Sequence, residues 1–481
     1  MKVLFVVSEF APWVKTGGLA DVAQGLPQAL TELGHDVRVL LPAYGSILDR
    51  SLKIKKVDRW QDATSPIDYQ LLSSSYGEVK VWLVDTPSFR ALEGNPYHNQ
   101  RGEMHADCAQ QFNLLSRVAA SIAGGQTRMR WRPQIVHCND WQSALTPVWM
   151  LLKRVNVASL FTIHNLHYQG RFPSQTLEYL NLPWWLYHAD ALEYHGDLSF
   201  IKGGLVFADK INTVSPTYAK EICTAAHGQG LDGLLLHRQD DLVGVLNGID
   251  TNIWDPSTDP LITATYSAKD MTGKQQCKSA LQQIFSLPIE CDTPVLGLIA
   301  RLVPQKGIDI LLSALPEMLS QGVQVVILGS GESYLQQQLT ELAQQYNRQM
   351  GVHIGFSEEL AHQIEAGADI FLMPSRFEPC GLNQMYSMRY GTIPIVSACG
   401  GLIDSVTDVN AKSSKATGFI VHALTPTALH QKTAQAIEMY HQKDKWQQLV
   451  RRAMKQDFSW KQAAKQYEKL YQNSINSLKT W

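Results

Sequence analysis

The sequence predicts an α/β protein made of two doubly wound domains that face each other across a cleft. Three observations predict it. Short apolar runs, each followed by a polar loop, alternate with segments of helical spacing, as buried parallel sheets require. The alternation runs through the first half of the chain, breaks off, and restarts near Pro294. At 481 residues the chain is also too long for a single core.

In chain order, residues 3–7 read as the first strand. Leu19, Val22, Ala23, Leu26, Leu30 and Leu33 then fall at helical spacing, and Gly34 ends that helix. Residues 37–41, 135–137, 160–164 and 210–214 read as further strands. The second half begins with a strand at 294–299 and a helical stripe from Ile308 to Met318. Strands follow at 323–328, 353–355, 370–373 and 393–396, separated by amphipathic helices. Residues 247–260 are rich in turn residues and lack periodicity, which places a hinge there. The expected division is 1–250, 251–459, and a last helix at 460–481 that crosses back to the first domain.

Composition narrows the function. A net charge of -2 gives no field favouring nucleic acid or an anionic membrane. Seven scattered cysteines without a Cys-x-x-Cys read as reduced thiols in a cytoplasmic protein. The opening apolar run is too short for a signal core, and no run reaches the ~20 residues of a membrane helix. No His-Glu-x-x-His occurs, and no metal or other cofactor is expected.

The richest segment is Pro374-Ser375-Arg376-Phe377-Glu378-Pro379-Cys380-Gly381-Leu382. It sets Glu378 on a strand-to-helix turn at the carboxyl end of a parallel sheet, where such folds place ligands. The amides of Cys380, Gly381 and Leu382 would open the next helix and attract phosphate. Arg301 and Lys306 lie on one loop after a strand, spaced to reach a single diphosphate, Arg as a fork and Lys as a point charge. Lys15-Thr16-Gly17-Gly18 precedes a helix, so its backbone can approach a ligand closely. It is neither a Walker loop nor a dinucleotide fingerprint, and the strand at 37–41 ends in Pro42 instead of an acidic residue. Asp140 and His164 each follow a strand-like run and suit sugar hydroxyls. Taken alone, His164 fits a structural residue bonding a neighbouring carbonyl. Asn247-Gly248 and Gly400-Gly401, taken alone, fit plain turns; the latter can also present amides to an anion.

Together these segments resemble bacterial glycogen (starch) synthases, retaining glucosyltransferases that use ADP-glucose. The matching motifs are Lys-Thr-Gly-Gly-Leu-Ala-Asp-Val at 15–22, His-Asn-Leu at 164–166, Tyr-Gln-Gly at 168–170 and Thr-Val-Ser-Pro-Thr-Tyr at 213–218. Leu-Asn-Gly-Ile-Asp at 246–250, Arg-Leu with Gln-Lys-Gly at 301–307, and the 374–382 segment complete the set, in order and over nearly the whole chain. The resemblance implies two Rossmann-like domains of the GT-B type, the first for the acceptor and the second for the donor. It implies that Arg301 and Lys306 hold the donor diphosphate, with Lys15, Gly17 and Gly18 closing over it. Glu378 would contact the donor glucose, with Cys380, Gly381 and Leu382 on sugar and phosphate. Asp140, His164 and Asn247 would line the sugar and acceptor side, and Phe356 would lie near the adenine, where relatives often carry Tyr. The implied partners are ADP-glucose and glycogen or another α-1,4-glucan.

The chain departs from the family pattern at four places. Asn383 replaces a common Thr near the expected ribose, Ser397 and Cys399 replace Arg and Thr, and Gln111-Phe112 replaces Arg-Phe. These bear on nucleotide affinity and preference more than on reaction type. A related two-domain enzyme using UDP-glucose or another acceptor shares the same charge logic. A non-catalytic glucan- or nucleotide-sugar-binding protein is the alternative from a different class.

Overall fold

The computed structural model describes residues 1–61, 68–92, 95–99, 101–411 and 413–478. The chain divides into two compact units: Met1–Gly248 with the segment from Trp460 onward, and Ile249–Ser459.

The first unit is organised on a large twisted sheet. Its strands are β1 (Lys2–Val6), β2 (Asp36–Pro42), β3 (Lys55–Gln61), β4 (Asp68–Tyr76), β5 (Val79–Asp85), β6 (Ile135–Asn139) and β7 (Ala158–Ile163). After a small antiparallel sheet of β8 (Arg171–Pro173), β9 (Glu193–Tyr194) and β10 (Asp197–Ser199) come β11 (Lys210–Thr213) and β12 (Leu242–Gly244). Among the described residues the large sheet runs β12-β11-β7-β6-β1-β2-β5-β4-β3. From β5 to β12 every pairing is parallel, while β4 runs antiparallel to both β5 and β3. The order β5-β2-β1-β6-β7-β11 is the doubly wound order, with its switch point between β1 and β6.

The C-terminal helix Trp460–Asn476 packs within this unit; residues 479–481 lie outside the described set. Its seat depends on a close approach to the helix Gly18–Glu32. A Cβ at Gly25 would fall 2.0 Å from the Trp460 indole nitrogen, so only glycine fits there. Farther along, Tyr471 hydroxyl meets His137 Nδ1 at 2.8 Å, and Thr162 Oγ1 meets the other ring nitrogen at 2.6 Å. That arrangement makes His137 a structural residue.

The second unit is a wholly parallel sheet of β13 (Val295–Leu302), β14 (Gln324–Gly331), β15 (Met350–Ile354), β16 (Ile370–Met373), β17 (Ile393–Ser397) and β18 (Phe419–Val421). Its order is β15-β14-β13-β16-β17-β18, again doubly wound, with the switch point between β13 and β16. Val325, Val326, Ile327, Phe371, Ile393 and Ile395 are fully buried in its core. No helix among the described residues is long and apolar enough to cross a membrane.

The structure departs from the sequence reading at several elements. That reading assigns nothing between residues 41 and 135, where β3–β5 and the helix Cys108–Ala123 stand. β3 and β4 carry mixed polar sequences suited to an edge. The helix buries residues on every face, including Gln111, Asn113 and Arg117, and so shows no stripe. β15 begins three residues earlier than expected, at Met350. Within residues 247–260 the boundary between the two units falls at Gly248–Ile249, but the later part of the segment is packed onto the second unit. Trp254 stacks between His362 (3.8 Å) and Tyr386 (3.9 Å), Asp255 pairs with Arg389, and Asp259 accepts from His362 (2.7 Å) and Tyr390 (2.5 Å). Aromatic stacking, the partly exposed Asp255–Arg389 pair and the buried Asp259 hydrogen bonds fasten residues 254–259 to the second unit despite their turn-forming composition.

Candidate active site

In the second unit the loops after β13 and β16 meet because Gly307 permits it. Its φ is +67°, and a Cβ there would stand 1.9 Å from the Pro374 carbonyl oxygen. The Arg376 amide donates to the Gln305 carbonyl (2.8 Å), and Gln305 Nε2 donates to the Phe377 carbonyl (3.3 Å). The Arg376 guanidinium forks onto Asp309 at 2.7 and 2.6 Å. This stitching brings Lys306 Nζ to 2.5 Å from Glu378 Oε2, which also accepts from Ser375 Oγ at 3.0 Å. Arg301 is not on that loop, where the sequence reading puts it. It is the penultimate residue of β13, still paired in the sheet and exposed, with one guanidinium nitrogen 3.4 Å from Gln305 Oε1. The three charged residues expected to act on the donor therefore gather at the switch point.

The turn from Cys380 to Leu382 opens the helix Asn383–Arg389. Gly381 has φ +71°, and Gln384 Nε2 donates to the Cys380 and Gly381 carbonyls. Asn383 is half-buried, and its side-chain amide donates to the Ile299 carbonyl at 2.8 Å, which clamps the helix start to β13. Phe356 lies beyond β15, at the sheet's edge, 81% exposed. Gly400-Gly401 supports the Glu378 loop from behind. A Cβ at Gly400 (φ +43°) would meet the Glu378 carbonyl at 2.0 Å, and the Gly401 amide donates to the Glu378 carbonyl at 3.1 Å. That amide is thus committed to protein, against the expectation that the pair presents amides to an anion. Ser397 and Cys399 both donate to the Ser375 carbonyl, so these two departures from the family pattern hold the same loop.

In the first unit, Asp140 follows β6 in a left-handed conformation (φ 57°) that a non-glycine residue adopts only at a cost. Its buried carboxylate accepts from the His164 amide at 3.2 Å and from the Asn165 amide. Burial pushes its pKa up to about 7 against the pull of those amides, and the nearby charge of Glu9 pushes the same way. Burial lowers the His164 imidazole to about 3, so the ring is neutral at physiological pH. Asn139 spends its side-chain amide on the Val6 and His137 carbonyls, which leaves its oxygen to accept from His164 Nε2 at 3.0 Å. That network assigns the proton to Nε2 and leaves Nδ1 as an acceptor. Asp140 and His164 therefore come together as two weakly charged hydrogen-bonding groups. Beside them Phe112 packs edge-on against Trp141 at 5.2 Å, and Gln111 Nε2 reaches the Ser88 carbonyl at 3.1 Å.

Lys15, Gly17 and Gly18 follow β1, at this unit's switch point. Lys15 pairs with Asp21 at 2.7 Å, Gly17 is the N-cap, and Gly18 is the first residue of the helix Gly18–Glu32. Glu9 organises the loop. Its carboxylate accepts from the Thr16 amide and Thr16 Oγ1 (2.6 Å each), the Gly17 amide (3.3 Å) and the Tyr97 hydroxyl (2.6 Å). The sequence reading overlooks Glu9; its signal is a carboxylate directly after the first strand and just ahead of a Gly-Gly turn. Asn247 lies past the edge strand β12, with a buried Oδ1 that has no partner. Such an atom ordinarily finds a ligand or water.

Residues 2–237 match the starch synthase catalytic domain, and residues 280–456 match the group 1 glycosyl transferases. Glycogen synthase of Thioalkalivibrio sulfidiphilus is 48% identical, covering 99% of this chain and 100% of its own. Glycogen synthase of Cellvibrio japonicus is 49% identical, covering 98% and 99%. The catalytic domain of starch synthase IV from Arabidopsis thaliana, solved bound to ADP and acarbose, superposes with a TM-score of 0.89 at 33% identity, covering 98% of this chain and 99% of that one. A sucrose-phosphate synthase from Thermosynechococcus elongatus, 16% identical with a TM-score of 0.61 over 99% of both chains, shares the fold. With its two doubly wound units of the GT-B class, the chain belongs to the glycogen (starch) synthase family of glycosyltransferases.

Proposed function

We propose that the protein moves glucose from ADP-glucose to the non-reducing end of an α-1,4-glucan with retention of configuration, elongating glycogen. One observation carries the assignment of parts: Lys306, Glu378 and Arg301 gather at the second unit's switch point. Breaking the anomeric C–O bond sends its electron pair onto the diphosphate. Fixed cations aimed at that charge supply the largest kind of catalytic stabilisation. Arg301 and Lys306 take the diphosphate, and Lys15 with the Gly17-Gly18 turn closes over it.

Glu378 holds the donor glucose, and the amides of Cys380, Gly381 and Leu382 bind sugar and phosphate. Asn383 lies near the ribose, and Phe356 offers an exposed ring to adenine. In the first unit Asp140, neutral His164 and the unpartnered Asn247 oxygen receive sugar hydroxyls. The Glu378 carboxylate already binds Lys306 and Ser375, which favours front-face attack over a covalent glucosyl-carboxylate. The acceptor oxygen bonds to the anomeric carbon, its proton passes to the leaving phosphate oxygen, and ADP departs. We place this chemistry in the cytoplasm, in keeping with the seven free cysteines.

The test is nucleotide release by the purified chain with glycogen and either ADP-glucose or UDP-glucose. Release from ADP-glucose that depends on glycogen is expected. A clear preference for UDP-glucose, or no turnover with either donor, refutes the proposal.

A further inference from the structure

Between β7 and the helix Phe200–Phe207 the chain leaves the sheet edge that carries His164. It builds the β8-β10-β9 sheet and two short helical turns, Thr176–Tyr179 and Trp184–Leu186. The side chains here divide by face. Leu177, Leu180, Leu182 and Leu186 are buried, whereas Tyr179, Trp184 and Trp185 are 71%, 53% and 58% exposed. Leaving that much ring surface in water forgoes roughly 25 cal/mol for each Å² that could be buried. Clustered exposure of this kind marks a binding surface.

The platform is held in place. Trp184 meets Tyr187 edge to face at 6.0 Å, and the Tyr187 hydroxyl donates to the Gly196 carbonyl at 2.9 Å. Asn113 Nδ2 donates to the Leu180 carbonyl at 3.2 Å. The whole insertion is anchored beside Asp140. Gly170 (φ +59°) lies against Trp141, where a Cβ would fall 2.3 Å from the ring, and Phe172 packs on that ring at 6.0 Å.

We propose that Tyr179, Trp184 and Trp185 form a second contact for an α-glucan chain, outside the reacting centre. The inference rests on the glucosyl transfer proposed above. A pyranose has an apolar C–H face and hydroxyl edges, which an exposed indole matches with its ring face and its N–H. Charge argues for a neutral occupant. Glu178, Asp190 and Glu193 flank the platform, and residues 172–201 contain no Lys or Arg, which disfavours an anionic membrane or nucleic acid. A polymer held here raises the effective concentration of chain ends at the first unit, without touching the bond that reacts.

The experiment compares full-length wild type with the double variants Trp184→Ala/Trp185→Ala and Trp184→Phe/Trp185→Phe. Steady-state kinetics are measured with glycogen and with maltotriose, and mobility is followed in native gels containing glycogen. The alanine pair should raise the KM for glycogen by about tenfold and lose glycogen retardation in the gel. Its maltotriose kinetics and KM for ADP-glucose should stay unchanged, and the phenylalanine pair should keep most of the retardation. Equal glycogen KM and retardation in wild type and the alanine pair overturn the proposal, as does an equal loss on maltotriose. A wild-type dimer that the alanine pair dissolves while glycogen binding persists assigns the platform to a second copy of the chain and also overturns it. Failure of ADP-glucose turnover in wild type refutes the transfer reaction, whereas gel retardation still decides the platform.

Discussion

The two units share one topology and put opposite electrostatics at its switch point. In the second unit, Lys306 and Glu378 form a pair at 2.5 Å, and exposed Arg301 stands near the carboxyl end of β13. In the first, burial drives the corresponding groups toward neutrality, with the Asp140 carboxyl raised to about 7 and the His164 imidazole lowered to about 3. The difference teaches that the doubly wound order fixes where ligands go but not which ligands. Basic side chains, exposed at Arg301 and paired with a buried carboxylate at Lys306, suit a diphosphate, which needs full cations. Groups stripped of charge suit hydroxyls, which need donors and acceptors without strong solvation.

The largest break in this comparison should come from Asp140→Asn. The folded pKa lies above the free value, so the folded chain holds a proton that the unfolded chain releases between about pH 4 and 7. Wild-type stability should therefore fall as pH rises through that window and level off above it. The amide removes this penalty, at most about 4 kcal/mol. Thermal unfolding near pH 8 should show a higher melting temperature for the variant, while transferase activity falls. An unchanged pH slope would contradict the buried-carboxylate account.

Lys306→Ala comes next. Loss of a fixed cation at the departing phosphate should lower kcat/KM by about 3 kcal/mol, roughly a hundredfold. Wild-type turnover in the purified variant would remove Lys306 from the chemistry. Gly307→Ala tests the junction of the two loops. The left-handed backbone and the Pro374 carbonyl at 1.9 Å should together cost about 2 kcal/mol in denaturant unfolding. The donor KM should rise as Lys306 shifts away from Glu378. The smallest effect belongs to Glu9→Gln. Its charge is one of the causes raising the Asp140 pKa, so the window over which wild-type stability falls with pH, read by thermal unfolding, should shift to lower pH in the variant.

Much of this was legible in the chain, and the gaps have physical causes. The strands of the parallel cores that the sequence reading names are short apolar runs followed by polar loops, and those strand ends and loops hold Arg301, Lys306, Glu378, Asp140 and His164. β5 has such a run too, in Val81-Trp82-Leu83-Val84, which the reading passes over. β12 and β18 span three residues each, too short to show a period, and β3 and β4 hide their register in polar edge sequence. Residues 247–260 read as a hinge because Asn, Asp and Pro dominate locally; the anchors of Trp254, Asp255 and Asp259, namely His362, Tyr386 and Arg389, lie more than a hundred residues away. Glu9 escaped for the same reason. Its partners Thr16 and Tyr97 meet it only in the folded unit. Neither the Asp140 pKa nor the Gly401 commitment has a local signature, since both arise from burial and from a second loop.

The most direct measurement is calorimetric titration of ADP into wild type, Lys306→Ala and Asp140→Asn. If the nucleotide rests on the cationic crevice of the second unit, Lys306→Ala should bind far more weakly while Asp140→Asn matches wild type. Equal affinity in all three proteins, or a loss confined to Asp140→Asn, would contradict that division of labour.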